Sequence, residues 1–451
     1  MPESPQNNQS DFIMIEKIKE RPVNKKKLLR RTIITASMAV IFGLIACFTF
    51  LILEPVISNL LYPEEEPQVV VFPEDQEEMS PEEMLVDSMQ QELQNQQNSQ
   101  PPVVVSPENT GLELEQLREL LSSVTLNLDN YKQLYTALSA YVYDMKQSMV
   151  TVTGVSSNLD WLNNLEESKN QASGVIIANN SKELLILVDY APLQKAERLS
   201  LSFNNGLQVE ATLKEKDPTT NLAVLAVDLA LINPGYLDNG IKIATLGSSN
   251  VQSIVGTPTV ALGRPMGTSD SLGYGMITSV SSPVSGVDTN YKLLQTDITG
   301  SQNAGGVLFN LNGQVVGIIT NTEGSSDMKN MVTAYGITEL KKRVEKMSNG
   351  EKAAYLGISG VEVTKEAHDE LGVPYGAFVK EVVMDSPAML AGIQQGDVLV
   401  QIDDKNILSY NEYIRILMEM NVGDTVELTV MRLSQEEYKE MKFQVTLGVM
   451  E

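Results

Sequence analysis

The chain has a single histidine, His368, and a single cysteine, Cys47, among its 451 residues. One cysteine makes no intramolecular disulfide and no thiolate metal cluster. One histidine confines any mechanism that needs an imidazole base to position 368, because no histidine precedes it. His368 lies in Thr364-Lys365-Glu366-Ala367-His368-Asp369-Glu370, a charged stretch that predicts an exposed turn of helix. The residues call for no metal and no cofactor. Basic residues are scarce as well: 33 Lys and Arg stand against 58 Asp and Glu, a formal net charge of -25. A phosphate backbone selects a basic face, so nucleic acid is not an expected partner.

What is present divides into segments. Residues 1–31 are a polar tail ending in a basic cluster, Lys25, Lys26, Lys27, Arg30 and Arg31. Residues 32–53 are apolar and uncharged, long enough to span a bilayer as one helix. The run is too long for the apolar core of a signal peptide, and no clear cleavage site follows it. The next basic residue is Arg118. The positive-inside rule then puts the N-terminus in the cytoplasm and everything after residue 53 outside.

Residues 54–110 are acidic and rich in Gln and Pro, a composition that predicts an extended, disordered linker. Residues 112–148 predict a helix. Leu114, Leu117, Leu121, Val124, Leu128, Tyr131, Tyr135, Leu138, Val142 and Met145 recur at alternating spacings of three and four, the seam of a heptad. Such a helix either joins chains as a coiled coil or lies against its own globular domain. Both readings stay open.

Residues 149–349 change character. Short β-rich runs separated by Gly, Asn, Asp and Ser predict antiparallel barrels or a sandwich. The runs include Leu184–Val188, Ala223–Val227, Ile241–Ala244 and Val315–Thr320, with a connecting helix over 334–349. Residues 352–448 read as a compact α/β unit with strands near 376–383, 396–402, 426–432 and 441–447 and an amphipathic helix over Tyr410–Met420.

Several motifs are specific. Leu294-Gln295-Thr296-Asp297, Gln302-Asn303-Ala304-Gly305-Gly306 and Leu311-Asn312-Gly313-Gln314-Val315-Val316-Gly317-Ile318 resemble the nucleophile region of HtrA-family serine proteases. There the loop reads Gly-Asn-Ser-Gly-Gly, and its backbone N–H groups form the oxyanion hole. The resemblance places Ala304 at the nucleophile and Gln302 at the first glycine, in an oxyanion loop of Gln302, Asn303, Gly305 and Gly306. Asp217-Pro218-Thr219-Thr220-Asn221-Leu222-Ala223-Val224-Leu225 resembles the segment that holds the family's aspartate, here Asn221. Ser173-Gly174-Val175-Ile176-Ile177 resembles the entry to the family's histidine strand, whose histidine position falls on Tyr190. Leu262-Gly263-Arg264-Pro265-Met266-Gly267 and Gly275-Met276-Ile277 resemble segments near the specificity pocket. Tyr355-Leu356-Gly357-Ile358 resembles the carboxylate-binding loop of HtrA-type PDZ domains. In those domains a peptide adds as a strand beside the loop and a helix, here with Ile414 and Leu417 lining the terminal pocket.

The resemblance implies a mostly β fold: a trypsin-like double antiparallel β-barrel over 149–349 and a PDZ domain over 352–448, preceded by one transmembrane helix and a heptad-patterned helix. With all three triad positions substituted, the expected protein is not an enzyme. It is a pseudoprotease at a bacterial membrane that binds peptide C-termini or unfolded proteins in protein quality control. The resemblance also implies a homo-oligomer, a trimer in the family, or co-assembly with an active paralogue. Two other readings remain: a serine endopeptidase using Ser301 or Thr299 with a lysine base, and an adaptor acting through the 112–148 helix.

Overall fold

The computed structural model describes residues 25–61, 67–73, 128–159, 165–250, 254–281, 284–320, 330–435 and 437–450. Expectations for 1–24, 62–66 and 74–110 as tail or linker, and for 112–127 as helix, lie outside these residues; 25–31, expected as tail, and 54–61, expected as linker, belong instead to the helix Lys25–Leu61. The chain divides into two units, Met1–Glu66 and Pro67–Glu451. The first unit contains helix α1, Lys25–Leu61. Its apolar side chains, among them Ile34, Met38, Phe42, Leu44 and Phe48, are exposed. Among the described residues no helix is long and apolar enough to cross a membrane. The continuous run of described side chains on α1 covers only 33–49.

The second unit opens with an extended strap, residues 67–73, inside the stretch expected to be linker. Its side chains alternate: Val69 and Val71 are exposed, whereas Val70 and Phe72 are buried. Helix α2, Leu128–Lys146, buries Val142 and Met145 at its C-terminal end. Leu128, Tyr131, Leu134 and Tyr135 at its N-terminal end stand in solvent.

Six strands then close a barrel in the order β1-β2-β3-β6-β5-β4: β1 Met149–Leu159, β2 Leu165–Asn179, β3 Glu183–Asp189, β4 Arg198–Ser202, β5 Gln208–Lys216 and β6 Leu222–Asp228. Strands β3 and β6 are continuous apolar runs because both of their faces are covered. On β3, Leu184, Ile186 and Val188 fill the barrel. The alternate residues Leu185 and Leu187 join a second core outside it, as the two-residue period of a strand requires.

After helix α3, Pro234–Gly240, a short β7, Thr245–Leu246, leads into the second barrel. Its strands are β8 Pro258–Arg264, β9 Ser271–Val280, β12 Leu293–Thr299, β13 Gly305–Asn310, β14 Gln314–Thr320 and β15 Met331–Gly336. They run β13-β8-β9-β12-β15-β14 and close through β13–β14. Residues 241–244, expected as a strand, form isolated bonds instead: Lys242 N–H to the Gln147 carbonyl and Ala244 N–H to the Ile176 carbonyl. Between β9 and β12 a hairpin leaves the barrel, β10 Val284–Gly286 and β11 Thr289–Tyr291. Helix α4, Ile337–Ser348, follows β15 and seats Ile337, Leu340, Val344 and Met347 in the core shared with the first barrel. The expected helix began three residues too early, because 334–336 belong to β15.

The C-terminal unit has its own core. Strands β16 Ile358–Glu362, β17 Ala377–Val382, β18 Val398–Ile402, β20 Thr425–Ser434 and β21 Glu437–Thr446 pair in that order, with β19 Lys405–Asn406 on β18. Helices α5 Lys365–Leu371, α6 Pro387–Ala391 and α7 Tyr410–Met418 complete it. Each is capped at its N-terminus by a side chain, from Thr364, Ser386 and Ser409 respectively, which satisfies a backbone donor that the helix leaves open.

Candidate functional site

The three positions matched to the family's triad lie at the ends of strands. Tyr190 follows β3, and its N–H donates to the Asn221 carbonyl at 2.8 Å, so the structure brings these two positions together. Its side chain is half-buried against the first barrel's core. Asn221 takes the left-handed backbone region at φ 57, which asparagine tolerates better than most residues. Its side-chain oxygen accepts from Gln194 Nε2 at 3.0 Å.

Ala304 belongs to the second barrel and is buried in that barrel's core. Its N–H donates to the Ser301 carbonyl at 3.0 Å. The hydroxyl of Ser301 accepts from Asn303 N–H at 3.2 Å. Gln302 and Asn303 are exposed, and Gly305 and Gly306 begin β13. Gly306 has φ 121, and a Cβ there would sit 2.1 Å from the Leu262 carbonyl oxygen, so the approach of β13 to β8 requires a glycine. A methyl group at 304 offers no nucleophile. His368, on α5, donates Nδ1–H to the Val373 carbonyl at 2.8 Å and stacks on Tyr375 with ring centroids 4.0 Å apart. It is half-buried rather than exposed, and both contacts lie within the C-terminal unit.

The second constellation centres on the loop Tyr355-Leu356-Gly357-Ile358. Tyr355 and Gly448 exchange backbone hydrogen bonds at 3.0 and 2.9 Å, which fix the loop's entry. Gly357 has φ 92, and a Cβ there would lie 2.2 Å from that of Ser386. The loop therefore presents successive N–H groups in one direction. All of them point at one carboxylate. Asp288, at the tip of the β10–β11 hairpin, accepts from Leu356 N–H and Gly357 N–H at 2.7 Å each and from Ile358 N–H at 3.1 Å. The Tyr413 hydroxyl on α7 donates to the same carboxylate at 2.6 Å.

Asp288 is buried. Burial raises its carboxyl above the usual carboxylate range, opposed by the Tyr413 hydroxyl and the loop amides. The Tyr413 phenol is raised well above its ordinary value, first by burial and then by the Asp288 charge.

The hairpin backbone is also engaged. Asp288 N–H donates to the Ile358 carbonyl at 2.8 Å, and Val287 bridges Ser359 of β16 in antiparallel fashion. Tyr410 on α7 donates to the Gly286 carbonyl at 3.2 Å. Leu417 is fully buried in the C-terminal core, and Ile414 packs against that core. The hydrogen bonds from α7 to the hairpin involve Tyr410, Tyr413 and Asn411, whose Oδ1 accepts from Asn290 Nδ2 at 2.8 Å.

Behind the hairpin, Arg343 of α4 donates to Asp217 at 2.6 Å, to Thr219 Oγ1 at 3.2 Å and to the Asp288 carbonyl at 3.2 Å. Asp217 also accepts from Thr220 N–H at 3.1 Å and opens the turn that carries Asn221. A crevice of about 300 Å³ lies beside this network, lined by Asp217, Asp288, Arg343, Tyr355 and Met450 among others. Sequence reasoning missed Asp288 and Arg343. The pair Tyr410 and Tyr413, one turn apart on an amphipathic helix, was the available signal for the α7 side of the groove.

Comparison with known proteins agrees with this geometry. The trypsin-like peptidase domain family matches residues 172–318, and the PDZ domain family matches residues 354–447. A probable periplasmic serine endoprotease, DegP-like, of Halomonas elongata is 29% identical over 277 residues, 59% of this chain and 55% of that protein. The serine protease Do-like HtrA of Bacillus subtilis is 27% identical over 332 residues, 68% of this chain and 72% of that protein. The chain thus spans little more than half the length of the first relative. Among solved structures, the HtrA-type protease AlgW with a decapeptide superposes with a TM-score of 0.51 at 21% identity, covering 69% of this chain and 98% of that one, a likeness of fold. The two barrels and the α/β unit after them are therefore a trypsin-like domain followed by a C-terminal PDZ domain, similar to proteases of the HtrA and DegP-like kind.

Proposed function

We propose that this protein is a membrane-anchored, extracytoplasmic member of the HtrA group that binds the C-termini of peptides or unfolded proteins and does not cleave them. The observation that carries the reading is the convergence of the Leu356, Gly357 and Ile358 N–H groups on one carboxylate. A loop that satisfies a carboxylate with three amides is built to hold a chain terminus. Loss of cleavage rests on Tyr190, Asn221 and Ala304. With no hydroxyl at 304 and no histidine before 368, the trypsin-like mechanism has neither nucleophile nor base. The likeness to proteases of periplasmic quality control supports a scaffolding or regulatory role there. Anchoring rests on the uncharged run 32–53 behind five basic residues and on the apolar exposed surface of α1. Self-association through the exposed end of α2, or assembly with an active paralogue, completes the reading.

The test is made on the full chain in detergent micelles. It is incubated with unfolded casein and a fluorophosphonate probe, and separately with immobilised random peptides carrying a free carboxylate or an amide at the C-terminus. The reading expects no turnover, no covalent label and retention of the carboxylate peptides alone. Casein cleavage or labelling abolished by Ser301→Ala would establish the serine endopeptidase reading instead.

A further inference from the structure

The PDZ groove is already occupied by the chain itself. A peptide entering such a groove makes three kinds of contact: its terminal carboxylate takes the loop amides, its last N–H pairs with the strand, and its backbone runs antiparallel to that strand beside the helix. The β10–β11 hairpin makes all three. The Asp288 side chain takes the amides of Leu356, Gly357 and Ile358. Asp288 N–H pairs with the Ile358 carbonyl. Val287 lies antiparallel to Ser359, and α7 closes the other side through Tyr413 on the carboxylate and Tyr410 on the Gly286 carbonyl. Only the covalent end differs. Where a peptide stops, this chain continues through Thr289 into β11.

We infer that the β10–β11 hairpin is an internal ligand of the PDZ domain, with the Asp288 carboxylate standing in for a C-terminal carboxylate, and that an external peptide with a free C-terminus binds by displacing it. This rests on the peptide-binding reading above. A tethered ligand acts at an effective concentration of about millimolar or more, so even a weak contact keeps the groove filled against micromolar peptide. The apparent affinity for peptide is then the intrinsic one reduced by the fraction of open grooves. Occupancy is coupled to the trypsin-like domain, because Arg343 binds the Asp288 carbonyl and Asp217 with adjacent nitrogens of one guanidinium. Releasing the hairpin leaves Arg343 held on the Asp217 side alone. Peptide binding at the loop and the conformation of the 217–221 turn therefore bias each other reciprocally.

The experiment compares full-length wild type, Asp288→Asn and Asp288→Ala in micelles, with two readouts. The first is amide hydrogen exchange of 355–359. The second is capture of a random decapeptide pool with free C-termini, with the amidated pool as control. The isosteric Asp288→Asn guards against loss of fold in the alanine variant, and exchange in β3 and β6 reports fold integrity. Expected are faster exchange of 355–359 in both variants and at least tenfold tighter capture of the carboxylate pool, with no gain for the amides. Unchanged exchange in Asp288→Asn would overturn the internal-ligand inference whatever the peptides do. Faster exchange without capture by any form would leave the hairpin contact standing but sink the peptide-receptor reading, and the displacement step with it.

Discussion

Arg343 donates to Asp217 across 2.6 Å with both side chains almost wholly buried. The pair joins α4, which follows the second barrel, to the turn that carries Asn221 in the first. Breaking a buried pair by removing one partner strands the other charge and costs about 3–5 kcal/mol. Arg343→Ala should therefore lower thermal stability strongly. The double variant Arg343→Met, Asp217→Asn should lose less than the two single changes summed, because it leaves no unpaired charge. Additive losses in a thermal-melt cycle would show that the pair carries no coupling.

The strap makes a second prediction. Val70 N–H binds Asn349 Oδ1 and Phe72 N–H binds Glu345 Oε2, both at 2.9 Å, and the buried side chains Val70 and Phe72 join the core between the barrels. Phe72→Ala should cost about 3 kcal/mol, the low end for a buried phenylalanine. Val71→Ala, one residue away and 68% exposed, should stay within about 0.5 kcal/mol. Equal effects on the denaturation midpoint would place the strap off the core.

Why the strap and hairpin escaped sequence reasoning while the barrels did not is a matter of where their burial comes from. Strands β3 and β6 carry their own signal, continuous Leu, Ile, Val and Ala, since neighbours cover both faces. The strap's Pro-Gln-Val-Val-Val-Phe-Pro is a short apolar island in an acidic run, and composition averages it away. The hairpin, Val284-Ser285-Gly286-Val287-Asp288-Thr289-Asn290-Tyr291, has no two-residue alternation. Its partners are β16 and α7, more than sixty residues ahead in the chain. The loop 355–358 was legible as a carboxylate site from its motif, but that motif says nothing about which carboxylate fills it. Leu417 is placed at the groove by the resemblance, and the structure buries it in the C-terminal core.

On the proposed reading, placing the family's triad side chains at 190, 221 and 304 should not by itself give an active enzyme. In Tyr190→His, Asn221→Asp, Ala304→Ser, the amide at 304 still faces the Ser301 carbonyl, and Gln302 lacks the backbone freedom of the glycine the family places there. A missing oxyanion donor costs about a hundredfold or more in rate. Fluorophosphonate labelling should stay near background in the triple variant and rise by about that factor on adding Gln302→Gly. Full labelling of the triple variant would mean that the hole is already formed.

Helix α2 buries one end of its seam and exposes the other. Val142 and Met145 pack on the barrels, whereas Leu128, Tyr131, Leu134 and Tyr135 are exposed, with the two tyrosine rings 4.7 Å apart. Replacing Leu128, Tyr131 and Tyr135 by Ser should lower the mass per particle in analytical ultracentrifugation with little change in melting temperature. Met145→Ala should instead destabilise the fold by about 2 kcal/mol or more. An unchanged mass for the triple variant would remove the exposed end of α2 from any assembly.

The pH response of the hairpin follows from the burial of Asp288. Burial raises its docked carboxyl above the ordinary value of about 3.9, with the Tyr413 hydroxyl and the loop amides opposing. Between the ordinary and the raised value the docked state binds more protons than the released one. The increment of docking tied to this difference is therefore fully present below about pH 3.9 and is lost as pH rises through the raised value, while the hydrogen bonds from the three loop amides and the Tyr413 hydroxyl still hold the ionised carboxylate. The other groups that face it do not titrate in that window. Tyr413 and Tyr410 of α7 and Tyr355 of the loop are all raised by burial and stay neutral. Arg343 of α4 is raised and stays charged, because Tyr291, Asp217 and Asp288 outweigh the burial that opposes them. Hydrogen exchange at Gly357, corrected for the intrinsic pH dependence, should show protection that declines from pH 4 to pH 7 in the wild type yet stays above that of Asp288→Asn throughout. In Asp288→Asn it should be flat. Protection that grows with pH would mean that the loop holds the ionised carboxylate more tightly than water does, and that the four donors outweigh the burial of the charge.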